Sequence, residues 1–238
     1  LIVVGIARSL PADEPQLPLL LQEDFESGMA RWQPTDADLA SSVWRIELRG
    51  AGGSPASKVP VTKAGEPTAA TANNYVLRVT GQSKYEPPHR SPHSIVWLKD
   101  IVVKDFVLTA RVQNTRPDAG DHRDLCLFWG YQDPAHYYYV HLGAKPDPNA
   151  CQIFIVNGAP RTAITVDKAK GTPWTNGWHN VKVVRRAADG TMAVYFDDMQ
   201  KPLMTARDTT FGAGRIGLGT FDDHGNFDDV TLRGERVK

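Results

Sequence analysis

Apolar and polar side chains alternate along most of this chain with a period of two, and Gly, Pro, Asn and Asp recur between the alternating runs. Period two places successive side chains on opposite faces, so these runs predict β-strands. They fall at Leu21–Glu26, Val43–Arg49, Tyr75–Thr80, Ser94–Leu98, Asp105–Gln113, Arg123–Tyr131, Tyr137–Leu142, Gln152–Val156, Trp178–Arg186, Met192–Asp197, Arg215–Thr220 and Phe227–Leu232. Helical periodicity is nearly absent. A dozen strands without helices predict an all-β chain of two packed antiparallel sheets. Gly50–Thr71 has no period and reads as a long loop. Glu86–Pro92, EPPHRSP, carries three prolines and reads as a stiff loop holding His89 and Arg90.

One hairpin is more informative than the rest. In DHRDLCLFWGYQDPAHYYYVHLG, the turn chemistry is Gln132-Asp133-Pro134. With Tyr131 set opposite His136, Leu125, Leu127 and Trp129 share a face with Tyr138, Val140 and Leu142, and that face is core. The opposite face carries His122, Asp124, Cys126, Phe128, Tyr139 and His141. His122 and Asp124, two apart, would project together, and a carboxylate beside an imidazole raises its basicity. Gln152 would face the same way from the next strand. Cys151 points into the core, opposite to Cys126, so no disulfide is expected, and neither cysteine lies in a metal-ligand spacing. Trp178 reads as core and His179 as solvated.

Composition narrows the classes. The 238 residues suit one large β domain, 19–238, after a segment 1–18 whose apolar start and small residues before Asp13 resemble the tail of a secretory signal, with an ordinary first strand or a disordered leader as the alternative. Secretion or a periplasmic location is the matching expectation. Lys plus Arg equals Asp plus Glu at 27 each, which argues against nucleic acid as a partner. No apolar run is long enough for membrane insertion. Phosphate-cradling glycine loops, a Gly-x-Ser-x-Gly elbow and paired-Cys zinc patterns are all missing from the sequence.

Several segments resemble the concanavalin A-like jelly-roll superfamily, the lectin/glucanase group that includes laminin-G-like domains. They are LLQEDFESGMARWQ, DFVLTARVQ, WGYQDPAHYYYVHL, GWHNVKVVRRAADGTMAVYFDD and GRIGLGTFDDHGNFDDVTL, which together span Leu21–Arg233. The resemblance implies a two-sheet sandwich whose concave face binds polysaccharide or oligosaccharide. It also implies a structural calcium, with Asp228 as side-chain ligand and Glu26 nearby, and no other cofactor; an acidic strand end in solvent is the alternative. The Glu-x-Asp-x-x-Glu strand of family 16 glycoside hydrolases is missing, as is the Gln-Ile-His strand of alginate-lyase-type jelly rolls. Where the keto-disaccharide hydrolase group shows Asn-Ser-Gly, this chain has His122-Arg123-Asp124-Leu125. No mechanism is therefore transferred.

The functional expectation is a carbohydrate-active protein, a glycoside hydrolase or polysaccharide lyase, with His122, Asp124, Tyr139 and His141 as the acid/base centre. His89, Arg90, Phe128, Gln152 and Arg161 would bind substrate, the arginines gripping a carboxylate or sulfate. Inverting or retaining hydrolysis normally takes two carboxylates, and only Asp124 is offered, so elimination on a uronic acid fits better. The alternatives are a non-catalytic carbohydrate-binding module and a purely structural sandwich.

Overall fold

A computed structural model describes residues 17–38, 40–49 and 74–237. The long loop expected at Gly50–Thr71, and all but the end of the 1–18 segment, lie outside the described residues. The strands are β1 (Leu19–Glu23), β2 (Trp32–Pro34), β3 (Trp44–Leu48), β4 (Tyr75–Val79), β5 (Ser94–Leu98), β6 (Val102–Asn114), β7 (Cys126–Asp133) and β8 (His136–His141). They continue as β9 (Gln152–Asn157), β10 (Thr162–Ala163), β11 (Thr165–Asp167), β12 (His179–Arg186), β13 (Thr191–Phe196), β14 (Met204–Arg207), β15 (Arg215–Thr220) and β16 (Gly225–Val237). All twelve expected runs form strands. The four additional strands, β2, β10, β11 and β14, have two to four residues, too few to show a period.

Two antiparallel sheets form the sandwich. One has the order β11-β14-β13-β12-β6-β16-β4-β3, with β1 also pairing β16; the other runs β10-β9-β8-β7-β15-β5-β2. Between them lies one core. Leu108, Val112, Val181, Val194, Phe227 and Leu232 enter it from the first sheet, and Leu98, Leu127, Trp129, Val140, Ile153 and Leu218 from the second. Removing such side chains from water is the main driving force for this packing.

The β7–β8 hairpin keeps the expected face assignment and changes its turn. Cys126 pairs His141, Leu127 pairs Val140, Phe128 pairs Tyr139 and Trp129 pairs Tyr138, but then Asp133, not Tyr131, pairs His136. The ladder shifts at a bulge beginning at Gly130, whose φ of 63° suits glycine. The turn is Pro134-Ala135, closed by the Asp133 carboxylate accepting the Ala135 N–H at 2.8 Å. The bulge turns Tyr131 onto the outer face, where its ring lies 3.8 Å from that of Trp97.

That outer face is largely aromatic and buried. Ile95, Trp97, Cys126, Phe128, Tyr137, Tyr139, Phe154 and Val156 form a second buried cluster there. The β15 run RIGLGT makes room for it. A Cβ on Gly217 would stand 2.7 Å from the Trp97 ring, and one on Gly219 would strike the Ser94 carbonyl. Bare backbone thus lets the neighbouring rings lie over β15.

Candidate functional site

The proline-stiffened loop crosses this aromatic layer. Ser91 and Pro92 are buried, and the Ser91 hydroxyl donates to the His89 carbonyl at 3.0 Å. The Arg90 carbonyl accepts the Arg161 N–H at 3.2 Å. The loop therefore does rim the sheet face and sets Arg90 beside Arg161. Arg90 is exposed and His89 half-buried.

Of the expected acid/base centre, the structure unites Asp124 and His141 and separates the others. His141 Nε2 lies 3.3 Å from Asp124 Oδ2. Both residues are buried, and their remaining atoms are engaged. Asp124 Oδ1 accepts the Thr220 hydroxyl at 2.7 Å and the Phe221 N–H at 3.3 Å. His141 Nδ1 bonds the Asn149 carbonyl at 2.9 Å. No imidazole lone pair faces solvent, so the pair has no route for taking a proton from a substrate. Burial raises the Asp124 carboxyl, but the His141 charge and hydrogen bond, with Thr220 and Phe221, outweigh it and hold the group below its ordinary value.

His122 is a correction. It does not share a strand with Asp124; it ends a 3₁₀ helix, Pro117–His122, and is exposed. Proline in the first turn and Gly120 at φ 55° coil this stretch, and β7 starts only at Cys126. Tyr139 and Phe128 are corrections too, since both are fully buried and cannot touch a ligand as placed. Phe128 stacks on Tyr139 at 5.4 Å, and Tyr139 on Phe154 at 5.1 Å. Burial pushes the Tyr139 phenol well above its ordinary value. Gln152 is buried and donates to the Asp147 carbonyl at 2.8 Å. Paired across β8 and β9, His141 and Gln152 thus anchor the following loop through its backbone.

Two further expectations reverse. His179 is buried, with Nδ1 2.7 Å from Asp197 and its ring stacked 4.7 Å from Phe196. Trp178 is half-buried and lies under two guanidinium groups, Arg49 at 4.6 Å and Arg111 at 5.3 Å. The parity that sends Val181 and Val183 inward sends His179 with them. Cys126 and Cys151 are free buried thiols, Cys126 in the outer cluster and Cys151 in the main core.

The two expected calcium donors each have a protein partner. Asp228 is fully buried and its Oδ2 has no hydrogen bond, which by itself suits a cation. The nearest counter-charge is instead Arg49, 3.8 Å away, and Glu26 accepts the Tyr75 N–H at 2.7 Å. A hard cation takes six or more oxygens, and the guanidinium beside the Asp228 oxygen opposes it. Burial, then the neighbouring Asp229, push the Asp228 carboxyl up to about 6.

Arg161 has a setting the alternation does not show. Its guanidinium lies 4.8 Å from the Phe154 ring and 4.5 Å from the Phe221 ring. It donates to the Tyr139 hydroxyl at 3.0 Å. Among the described residues it has no carboxylate partner, and it is half-buried. Phe221 stacks on His141 at 6.0 Å and meets His93 edge-on at 5.5 Å. Neither Phe221 nor His93 stands out in the sequence. The signal that points to them is the glycine pair of β15, which marks the face on which large rings must lie.

No family model matches the chain, and no curated protein does. Among solved structures, a carbohydrate-binding module, CBM66, from Bacillus subtilis is similar at 15% identity, covering 87% of this chain and 97% of its own, with a TM-score of 0.55. Domain 4 of AbnA, a GH43 extracellular arabinanase from Geobacillus stearothermophilus, in complex with arabinotriose, matches at 10% identity, 94% and 96% coverage and a TM-score of 0.49. The Bacillus licheniformis β-glucanase matches at 10% identity, 93% and 100% coverage and a TM-score of 0.46. Likeness at such identities is likeness of fold, and the fold is the concanavalin A-like jelly roll. No helix among the described residues is long and apolar enough to cross a membrane.

Proposed function

We propose that this chain is a carbohydrate-binding domain with no cleavage chemistry of its own, and that it takes an anionic polysaccharide or oligosaccharide at the loop-covered rim of the seven-stranded sheet. The observation that carries this reading is Arg161, a guanidinium fixed between two rings and tied to a phenol, half-buried and without a carboxylate partner among the described residues. Guanidinium offers five N–H donors in a rigid fork, and Tyr139 takes one. The rest suit the carboxylate of a uronic acid or a sulfate ester. Arg90 stands beside it, and the half-buried Phe221 offers ring surface for the C–H face of a sugar. A jelly roll like that of a carbohydrate-binding module supports the class. Hydrolysis by the usual route would need two carboxylates flanking the bond, and Asp124 is buried and fully engaged. An exported location suits such a ligand.

Affinity electrophoresis through acidic and neutral polysaccharides, with wild type and Arg161→Leu, tests the reading. Acidic glycans should retard the wild type, with affinity falling about 30-fold or more in the variant, given roughly 2–5 kcal/mol for truncating one side of a partly buried charge pair. Retardation by neutral glycans alone would remove the anionic specificity. No retardation by any glycan would remove the binding reading, and newly formed reducing ends or unsaturated products would replace it with an enzyme.

A further inference from the structure

Strand pairing brings His141 to two side chains, Asp124 and Cys126, that lie two residues apart on the chain. Cys126 on β7 pairs His141 on β8, and Asp124 precedes Cys126 by two residues. One ligand atom from each, a carboxylate oxygen, Sγ and an imidazole nitrogen, lies within 4.8 Å of the others, and all three residues are buried. The atoms not in this group are pinned from outside. Asp124 Oδ1 is held by Thr220 and Phe221, leaving Oδ2 directed at His141. His141 Nδ1 is held by the Asn149 carbonyl, which makes it the protonated nitrogen and turns Nε2 inward. Metal-binding histidines are typically fixed in this way, with the far nitrogen donating to a carbonyl or carboxylate.

The gap between Nε2 and Oδ2 is informative. At 3.3 Å it is long for a charge-assisted hydrogen bond, about 2.7–2.9 Å. It equals the edge, roughly 3.3 Å, of a tetrahedron whose metal–ligand arms are about 2.0–2.1 Å. We propose that Asp124, Cys126 and His141 form a buried site for a zinc-like divalent transition-metal ion. The donor set of one thiolate, one imidazole and one carboxylate suits zinc and excludes calcium and magnesium, which take oxygen. Cys126 and His141 Nε2, which donates to Asp124 Oδ2 in the metal-free pair, would each lose a proton to solvent on binding. Burial, then the Asp124 charge, push the Cys126 thiol well above its ordinary value while Arg161 lowers it, so the ion competes with a firmly held proton. Such an ion would tie β7 to β8 beneath the Arg161 rim, and its presence does not depend on what the rim binds.

The site is enclosed, so the test admits metal during folding. The full chain is unfolded under reducing conditions, refolded with Zn²⁺ or Co²⁺, desalted and analysed for metal and absorbance. One ion per chain is expected, and the cobalt form should show a thiolate-to-metal charge-transfer band. Cys126→Ser should lose the band and the ion, while Cys151→Ser keeps both. Wild type that refolds without retaining an ion, or a band that depends on Cys151, would overturn the proposal. Should Cys126→Ser fail to fold, the wild-type and Cys151→Ser cobalt spectra still decide it, because no other cysteine exists in the chain.

Discussion

Asp124 and His141 face one another across 3.3 Å in a buried setting that leaves neither side chain free to meet a saccharide. Their position ties three strands and two loops: β7 is entered at Asp124, β8 ends at His141, β15 ends at Thr220, and Asn149 and Phe221 are held by their backbone. Removing one partner leaves the other buried without its counterpart, which costs about 3–5 kcal/mol. Asp124→Ala and His141→Ala should each lower unfolding stability by that amount in urea titrations. Glycan affinity per folded molecule should change far less than in Arg161→Leu. An acid/base role would give the opposite pattern, with activity lost and stability kept.

The same carboxyl sets an acid limit. Asp124 is held below its ordinary value in the folded state, so its contribution is fully present above the unfolded value near 3.8 and is lost as pH falls through the lower folded value. The difference in stability between wild type and Asp124→Asn should be constant from pH 7 to about pH 5 and shrink below about pH 4. Paired urea titrations across that range read it directly. A difference that begins to fall near neutrality would assign the linkage to another group.

Gly217 makes a sharper steric case. A Cβ there would stand 2.7 Å from the Trp97 ring and 2.8 Å from the Val96 carbonyl, and backbone cannot move aside cheaply. Gly217→Ala should destabilise by about 1–3 kcal/mol, the usual cost of overpacking. It should also shift the near-ultraviolet circular dichroism as Trp97 leaves the Tyr131 ring. Gly212→Ala, with open space at its Cβ, is the matched control and should leave both unchanged.

The sandwich is legible in the sequence because its information is local: parity sorts Leu127 from Phe128 and Val140 from Tyr139 without knowledge of the partner sheet. The site is less legible, because what covers a face is not local. Parity correctly separates the Phe128–Tyr139 face from the core, but whether that face is open depends on Ser91, Pro92 and Arg161 arriving from loops that carry no period. Aromatic residues next to histidines then read as a ligand surface when they form a second buried layer. The His179 reversal has a simpler cause. The parity of Val181 and Val183 governs His179 despite its residue type, and the exposed Asp197 carboxylate satisfies the buried imidazole.

Asp228 offers a pH effect of the opposite sign. Its folded value of about 6 lies above the ordinary 3.8, so the folded state binds the proton more tightly than the unfolded chain. The charged form is a burden at neutral pH that is relieved as pH falls through 6 toward 4. A shift of this size, which already includes the opposing effect of Arg49 and Arg111, corresponds to at most about 3 kcal/mol. Asp228→Asn should be more stable than wild type at pH 7.5, and the advantage should vanish near pH 4.5. Were a cation bound at Asp228 instead, the substitution would destabilise at pH 7.5, and added calcium would raise the melting temperature of wild type alone.

Tyr139→Phe separates positioning from packing at the rim. The phenol ring stacks between Phe128 and Phe154, and phenylalanine preserves both contacts. Only the hydroxyl that accepts from Arg161 at 3.0 Å is removed. A hydrogen bond to a charged donor contributes about 1.5–3 kcal/mol, and part of that returns when the freed guanidinium finds water. The melting temperature should therefore change little, while affinity for an acidic glycan falls roughly 5- to 10-fold as Arg161 loses its fixed orientation. Since each affinity measurement is made on folded protein, a merely structural hydroxyl would move the melting temperature and leave the dissociation constant where it was. Arg161→Lys completes the comparison: it keeps the charge but loses the planar fork, and it should bind the acidic glycan no better than Tyr139→Phe does.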